Sequence, residues 1–364
     1  MFSSVESAVD HVSLTSNKIK DLAIARVSHL GQLDKQHLNL VWDSVKHDPS
    51  YKYYQIKDNR LFIDFNEPFQ DFETRLEGGK AHLLGILSKY RIPDTEFILY
   101  DGDSLNTDKP IFVPGCAQGR NQLIVPDYMF KFNQESNLQD HNEAMQSIFC
   151  AAKASGLEFE SWNKRQEKIF YRGSLNNSYR GQYQKIDGIG VCDLKHVPGF
   201  HAPRGVPNYN PRESPNACTR EEKSNYKFLL HLNGGEDTAI SGAFRYSLAC
   251  GSTVFYATRS PYQEWWQHSL ICSSKNYIEV RDPQDLLNAV EHFRKNPRDA
   301  HEIAINGYEF ANEYLGAEMC EQYYANFLIE YAQRTNWEVS LRPNLKPVNF
   351  YKKRASESIV MLEP

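Results

Sequence analysis

Several things are missing from this sequence, and each absence narrows the reading. No apolar run approaches the length of a transmembrane helix. The opening residues, MFSSVESAVDHVSLTSNKIK, lack the charged-then-apolar plan of a secretory leader. The chain is therefore expected to be cytoplasmic, with any membrane association peripheral. Positive charge is not in excess: 41 Lys and Arg stand against 46 Asp and Glu, a net charge of -5. That argues against nucleic acid or an anionic membrane as the main partner. None of the seven cysteines, at 116, 150, 192, 218, 250, 272 and 320, forms a CxxC pair. A zinc site is not expected, and unclustered thiols in odd number fit reduced, mostly buried side chains. His201, His231 and His268 occur in separate contexts without ligand spacing. Internal repeats and low-complexity tracts are also missing.

What remains is a chain of 364 residues that is 41% hydrophobic and 13% aromatic, enough for two domains with real cores. The first ~50 residues carry helical spacing. YYQIKDNRLFIDF alternates around Asp58-Asn59 and predicts a hairpin. DFETRLEGGKAHLLGILSKYRIPD predicts a helix ending near Pro93, TEFILYDGDS a strand, and NQLIVPDYMF a second short strand. HNEAMQSIFCAAK begins helical, and KIFYRGSLNNSYRG is a strand opening into a polar loop. A Pro/Gly/Asn-rich segment from His196 to Asn225 has no periodicity. KFLLHLNGG then predicts a strand and glycine turn, SGAFRYSLACGS a short helix, and STVF a second strand. DPQDLLNAV is a helix start, with Asp282 as cap and Pro283 in the first turn. Alternating strands and helices argue an α/β architecture with parallel sheets, with a break near residues 150 to 165.

Three stretches could carry chemistry. In FYRGSLNNSYRG, Gly173 permits close backbone approach, while Ser174, Arg172 and Arg180 supply donors suited to a phosphate or diphosphate. Solvated surface arginines are the plainer reading. In the second stretch, Gly234 and Gly235 end a strand, and Ser241, Phe244 and Arg245 follow, with Ser252 before the next strand. Arg245 would stand near the crevice where doubly wound sheets bind nucleotides, or else in a structural salt bridge. In the third, FILYDGDS delivers Asp101 and Asp103 beyond a strand. Such a pair could hold manganese and a diphosphate, supply one general base, or simply cap a strand. SPYQEWWQH could face a sugar or pack inside.

Taken together, these segments resemble glycosyltransferase family 90, the lipopolysaccharide-modifying and capsule-associated family that includes the protein O-glucosyltransferase Rumi. KIFYRGSLNNSYR is similar to its FRGS…R signature, and YKFLLHLNG…AFRYSLACGSTVF to its strand–arginine–strand segment. PDTEFILYDGDS, LIVPDYMF and EMCEQYYANFLIEYA resemble its acidic strand end, its I-x-x-P-aromatic segment and its closing helix. The likeness runs over roughly residues 70 to 335.

The resemblance implies a GT-B type α/β fold, two Rossmann-like domains facing each other across a cleft. Residues 1–155 would form the acceptor-side domain, 156–320 the nucleotide-sugar domain, and 321–364 a helix and tail returning toward the first. It implies inverting transfer of glucose or xylose from a UDP-sugar to a hydroxyl of a glycan or protein. Neither a metal nor any cofactor beyond the donor would be needed. Arg245 and Arg180, with Arg172, would contact the diphosphate, and Gly173 and Ser174 would line the donor loop. Gly234, Gly235, Ser241, Phe244 and Ser252 would line the nucleotide pocket. The family's base often precedes x-Pro, whereas Ser104 and Leu105 follow Asp103 here. Asp103 is preferred as the base and Asp101 is the alternative. The stretch GGEDTAISGAFR is longer than the family's usual turn. The rivals are a metal-dependent enzyme that binds manganese at Asp101-x-Asp103, and a non-catalytic nucleotide-sugar-binding protein.

Overall fold

The computed structural model describes residues 3–64, 73–102, 105, 107–117, 122–127, 130, 132–133, 139–197, 214–234, 240–257, 262–267 and 269–348. They fall into two compact units. One comprises Met1–His141, Gln263–Trp265 and Ala317–Pro364, and the other Asn142–Tyr262 and Trp266–Gly316. Both mix helices and strands, as the alternating pattern predicts.

The first unit begins with helices α1 (Ser3–Ser28) and α2 (Lys35–Val45). Strands β1 (Tyr51–Lys57) and β2 (Arg60–Asp64) form the expected hairpin. Its two turn residues, Asp58 and Asn59, have φ of 51° and 59°. A two-residue hairpin turn of type I′ requires positive φ at both central positions, and Asp and Asn tolerate it. Helix α3 (Glu73–Lys89) leads to β3 (Thr95–Tyr100), followed by β4 (Ile111–Val113), β5 (Cys116–Ala117) and β6 (Leu123–Ile124). The short strands β7 (Phe132–Asn133) and β8 (Gln139–Asp140) pair antiparallel. After the second unit the chain adds α10 (Ala317–Ala332) and β15 (Lys346–Pro347).

The main sheet of this unit has the order β15-β2-β1-β3-β4-β6. The strands β3, β4 and β6 are mutually parallel, and β1 runs antiparallel to β3. Its core is aromatic. Phe97 stacks on Phe112 at 4.4 Å, and Phe327 and Tyr331 of α10 meet Phe112 edge-on at 5.1 and 4.8 Å. Tyr323 of α10 donates to the Ile124 carbonyl at 2.7 Å. These contacts fix the helix over the parallel edge of the sheet.

The second unit runs through α4 (His141–Ala154), α5 (Phe159–Trp162), β9 (Gln166–Gly173), α6 (Ser178–Gln184) and β10 (Cys192–His196). It continues with β11 (Tyr226–Leu232), α7 (Ala243–Ala249), β12 (Thr253–Ala257) and β13 (Tyr262–Gln263). It closes with β14 (Ile278–Val280), α8 (Pro283–Lys295) and α9 (Pro297–Tyr314). The sheet order is β10-β9-β11-β12-β14, and every pairing is parallel. The core between sheet and helices is built from Trp162, Ile169, Phe228, Phe255, Leu286 and Ile303, all buried. Asp282 accepts from the Asp285 amide at 2.8 Å, the cap that the sequence predicts for α8.

In the described residues, no helix is long and apolar enough to cross a membrane. Most of the Pro/Gly/Asn-rich segment, with His201, lies outside the described residues, as do Asp103, Gly235 and His268.

Candidate functional site

The strand order of the second unit reverses direction between β9 and β11. From β9 the chain winds outward to β10, and from β11 it winds the other way to β12 and β14. Connections diverge at such a point, which leaves a crevice beyond the carboxyl ends of the two strands. The residues that leave those ends are Arg172 to Asn177 from β9 and Asn233 and Gly234 from β11. Two of the three predicted stretches therefore meet at one edge.

Arg180 bridges them. It was expected in a loop but lies on α6, whose start is fixed by Asn177 accepting from the Arg180 amide at 2.7 Å. An asparagine cap lets a helix begin directly after a polar loop. The guanidinium donates from Nε and Nη2 to the Asn233 carbonyl at 2.9 and 2.6 Å, and from Nη1 to the Ser174 carbonyl at 3.4 Å. Among the described residues it meets carbonyls and no carboxylate. Behind it, fully buried His231 of β11 is held well below the usual imidazole range, first by burial and then by the Arg180 charge. His231 stacks on Tyr256 at 5.4 Å and faces Phe244 at 5.1 Å. Phe244 thus belongs to an aromatic cluster that also includes Trp266.

Arg245 is the third residue of α7 and is completely buried. Ser241 and Gly234, both partly exposed, bound the same loop region between β11 and α7. Ser174 donates to Asn176, and the Leu175 amide donates to His196 Nδ1 at 2.9 Å, which shapes the loop beyond Gly173. Arg172 turns along the sheet instead. It pairs with Asp193 at 2.9 Å and lies 4.1 Å over the Phe170 ring. Ser252 stands at the amino end of β12, the opposite edge from the crevice, and donates to the Tyr226 carbonyl at 2.7 Å. Parallel register places it there, since residues just before a strand and just after its neighbour lie at opposite edges. That far edge is organised by Arg165, which donates to the carbonyls of Gly251, Gly156 and Cys250 at 2.7, 2.8 and 3.1 Å. Burial lowers its guanidinium to about 10. Trp265 and Trp266 of the aromatic stretch are fully buried and act as packing.

The acidic strand end lies in the first unit. Asp101 follows β3, is buried, and has Oδ2 3.4 Å from Nζ of buried Lys52. The antiparallel register, Tyr51 opposite Tyr100, is what brings Lys52 to it. Burial lowers the Lys52 ammonium, and the Asp101 charge works against that. Gly102 makes the turn. A Cβ there would lie 2.2 Å from Tyr100 ring atoms, and Tyr100 would have to leave its place against Tyr51. Asp101 lines a 20 Å³ cavity beyond the carboxyl ends of β3, β4 and β6, together with His82, Asp127 and Tyr324. That is room for one water. Burial, with the Asp101 charge nearby, raises the Tyr324 phenol, which stays protonated. His82 lies edge-on to Tyr324 at 5.4 Å.

Lys52, His82 and Asp127 are site neighbours that the sequence motifs do not mark. Asp127 was visible within LIVPDYMF, but nothing local marks a strand lysine or a helical histidine as neighbours of Asp101. Among the described residues, no three His, Cys, Asp or Glu side chains come together as a metal cluster. Asp103 lies outside those residues.

The family model for glycosyl transferase family 90 matches residues 41–360, most of the chain and both units. The chain belongs to glycosyl transferase family 90. It is similar to protein O-glucosyltransferase 2 of Danio rerio, 23% identical over 291 residues, which covers 77% of this chain and 55% of the relative. It is also similar to protein O-glucosyltransferase 1 of Homo sapiens, 21% identical over 303 residues, covering 80% of this chain and 74% of the relative. A third relative is O-glucosyltransferase rumi of Drosophila pseudoobscura pseudoobscura, 21% identical over 306 residues. This family 90 chain thus spans only about half the length of the Danio rerio protein.

Proposed function

We propose that the chain is an inverting glycosyltransferase that moves glucose or xylose from a UDP-sugar to a hydroxyl of a glycan or protein, without a metal. Arg180 carries this reading: a guanidinium that meets no carboxylate among the described residues stands at the switch point of a parallel sheet. Crevices of this kind hold nucleotides, and a fixed cation there suits a diphosphate. The relatives' names, O-glucosyltransferases, support the reaction class and glucose as the sugar. Family membership supports the GT-B arrangement of two facing Rossmann-like domains, with the second unit as donor domain.

In the proposed reaction Asp103, or Asp101 in its place, takes the proton from the acceptor hydroxyl. The hydroxyl oxygen bonds to the anomeric carbon from the face opposite UDP, and the bond from that carbon to the UDP oxygen breaks. The electron pair leaves with UDP, and Arg245 and Arg180 stabilise the charge that develops on the diphosphate. Gly173, Ser174, Gly234, Gly235 and Ser241 shape the donor loops around it, with Arg172 bracing the sheet behind them through Asp193. Asp101 is held by Lys52, which favours a positioning role for it and leaves Asp103 as the better base.

The test is titration of the protein with UDP and with UDP-glucose by calorimetry, in the native chain and in Arg245→Ala. Binding to the native chain that weakens about tenfold or more in folded Arg245→Ala is expected. Equal affinity in both would remove Arg245 from the donor site.

A further inference from the structure

Within the first unit, a second cavity is much larger than the one beside Asp101. Its volume is 710 Å³, within the ~300–1,000 Å³ span of ligand pockets. Helix α2, the end of β2 and the segment Trp337–Asn344 line it. None of these residues belongs to the three stretches read as carrying chemistry, nor to the cavity of Asp101.

The wall of this groove is built around one carboxylate. Glu96, on β3, is completely buried. It accepts from Tyr53 at 2.6 Å, from Gln55 at 2.5 Å and from the Trp337 indole N–H at 2.5 Å. Lys35 also pairs with Glu96, and Arg342 approaches it to 4.0 Å. Lys35 lies 5.6 Å over the Trp337 ring, and Arg342 lies 3.9 Å over Tyr53 and donates to Asn39. Buried Trp42 packs on Tyr53 at 5.4 Å. A buried carboxylate that fixes an indole edge and two cations sets their orientation before any ligand arrives, which lowers the cost of binding.

The composition of the lining identifies the ligand class. Its cations, Lys35, Lys46 and Arg342, are matched in number by Asp43, Asp64 and Glu338. With Glu96 behind them the carboxylates exceed the cations by one, and such a surface does not select a phosphate or a polyanion. Half-buried Trp337 gives flat apolar area, with buried Trp42 behind the groove, and Asn39, Asn344 and Ser340 add groups that donate and accept. A sugar unit has the same two-sided character, an apolar C–H face rimmed by hydroxyls.

We propose that this groove is a carbohydrate-binding site that holds a neutral oligosaccharide. The proposal stands apart from the donor reading, because none of its residues is assigned to nucleotide binding or to proton transfer. Its test uses the full chain on a printed array of short neutral gluco-, galacto-, manno- and xylo-oligosaccharides with sulfated and sialylated counterparts. Native protein, Trp337→Ala and Ser340→Tyr are compared; Ser340 is exposed and meets Gln55 of the Glu96 network only through its backbone carbonyl, so its variant fills the groove and replaces no side chain of that network. The expected result is capture of at least one neutral oligosaccharide, weakened at least about tenfold by either folded variant. Capture of no neutral oligosaccharide, capture confined to the anionic set, or capture unchanged in both variants would overturn the proposal. UDP binding measured on the same proteins separates the two readings: its absence would bring down the donor assignment and leave the glycan result standing.

Discussion

Replacing Arg180 tests whether its position at the switch point has a chemical purpose. In Arg180→Ala the carbonyls of Asn233 and Ser174 lose a donor. Arg180 is only partly buried, so water can replace much of that bonding. The folding cost is expected to be about 1–2 kcal/mol. The catalytic cost is larger. A unit charge ~6 Å from the charge developing on a diphosphate, at an effective dielectric of ~20, is worth about 2.8 kcal/mol, or roughly 10²-fold in rate. Arg180→Lys keeps a charge and loses the fork on Asn233, so an intermediate loss of about tenfold is expected. The assay is UDP release from UDP-glucose, with denaturant unfolding run on the same proteins. Arg180→Ala that remains folded and releases UDP at the native rate would refute the reasoning. So would an activity loss fully explained by a smaller folded fraction.

The remaining predictions concern the base, the core and the thiols. Asp101→Asn leaves buried Lys52 without its carboxylate and should lose about 3 kcal/mol of stability by denaturant unfolding, whereas Asp103→Asn should show the larger fall in turnover, about 10²-fold or more. The reverse pattern would make Asp101 the base. His231 is neutral in the folded chain and must bind a proton when it unfolds at acid pH. Its folded value is below its unfolded one, so stability falls as pH drops below about 6.5, by up to ~1.4 kcal/mol per pH unit. His231→Phe, fitted to the same aromatic stack, should flatten that slope, and an unchanged slope would exclude the histidine. Burial pushes the Cys192 and Cys250 thiols up to about 11, while Cys150 and Cys272 are exposed. Iodoacetamide at pH 8 followed by peptide mapping should label Cys150 and Cys272 and spare Cys192 and Cys250.

Local signals carried the sequence reading a long way. The hairpin turn, the α8 cap and the strands around Arg172 and Arg245 follow from rules that act over a few residues, and the structure contains all of them. What was not legible depends on pairing between distant segments. Nothing near KIFYRGS says that β9 lies between β10 and β11, and that placement creates the crevice. Nothing in YKYYQIK says that Lys52 faces Asp101, because the register of β1 on β3 decides it. In the sequence Arg180 reads as a loop residue because its helix is short and polar, with only Tyr179 and Tyr183 buried. Ser252 looked adjacent to Arg245 in sequence, yet α7 runs back across the sheet between them and leaves the serine at the far edge. The groove at Trp337 was invisible for the same reason: Glu96, Lys35 and Arg342 come from three well-separated parts of the chain.

The most direct test of the central claim is UDP release from UDP-glucose by the full chain, measured in EDTA and again with added manganese. The account predicts release that persists in EDTA and is not increased by manganese. Release that appears only with manganese would contradict it and would make the aspartates beyond β3 a metal site.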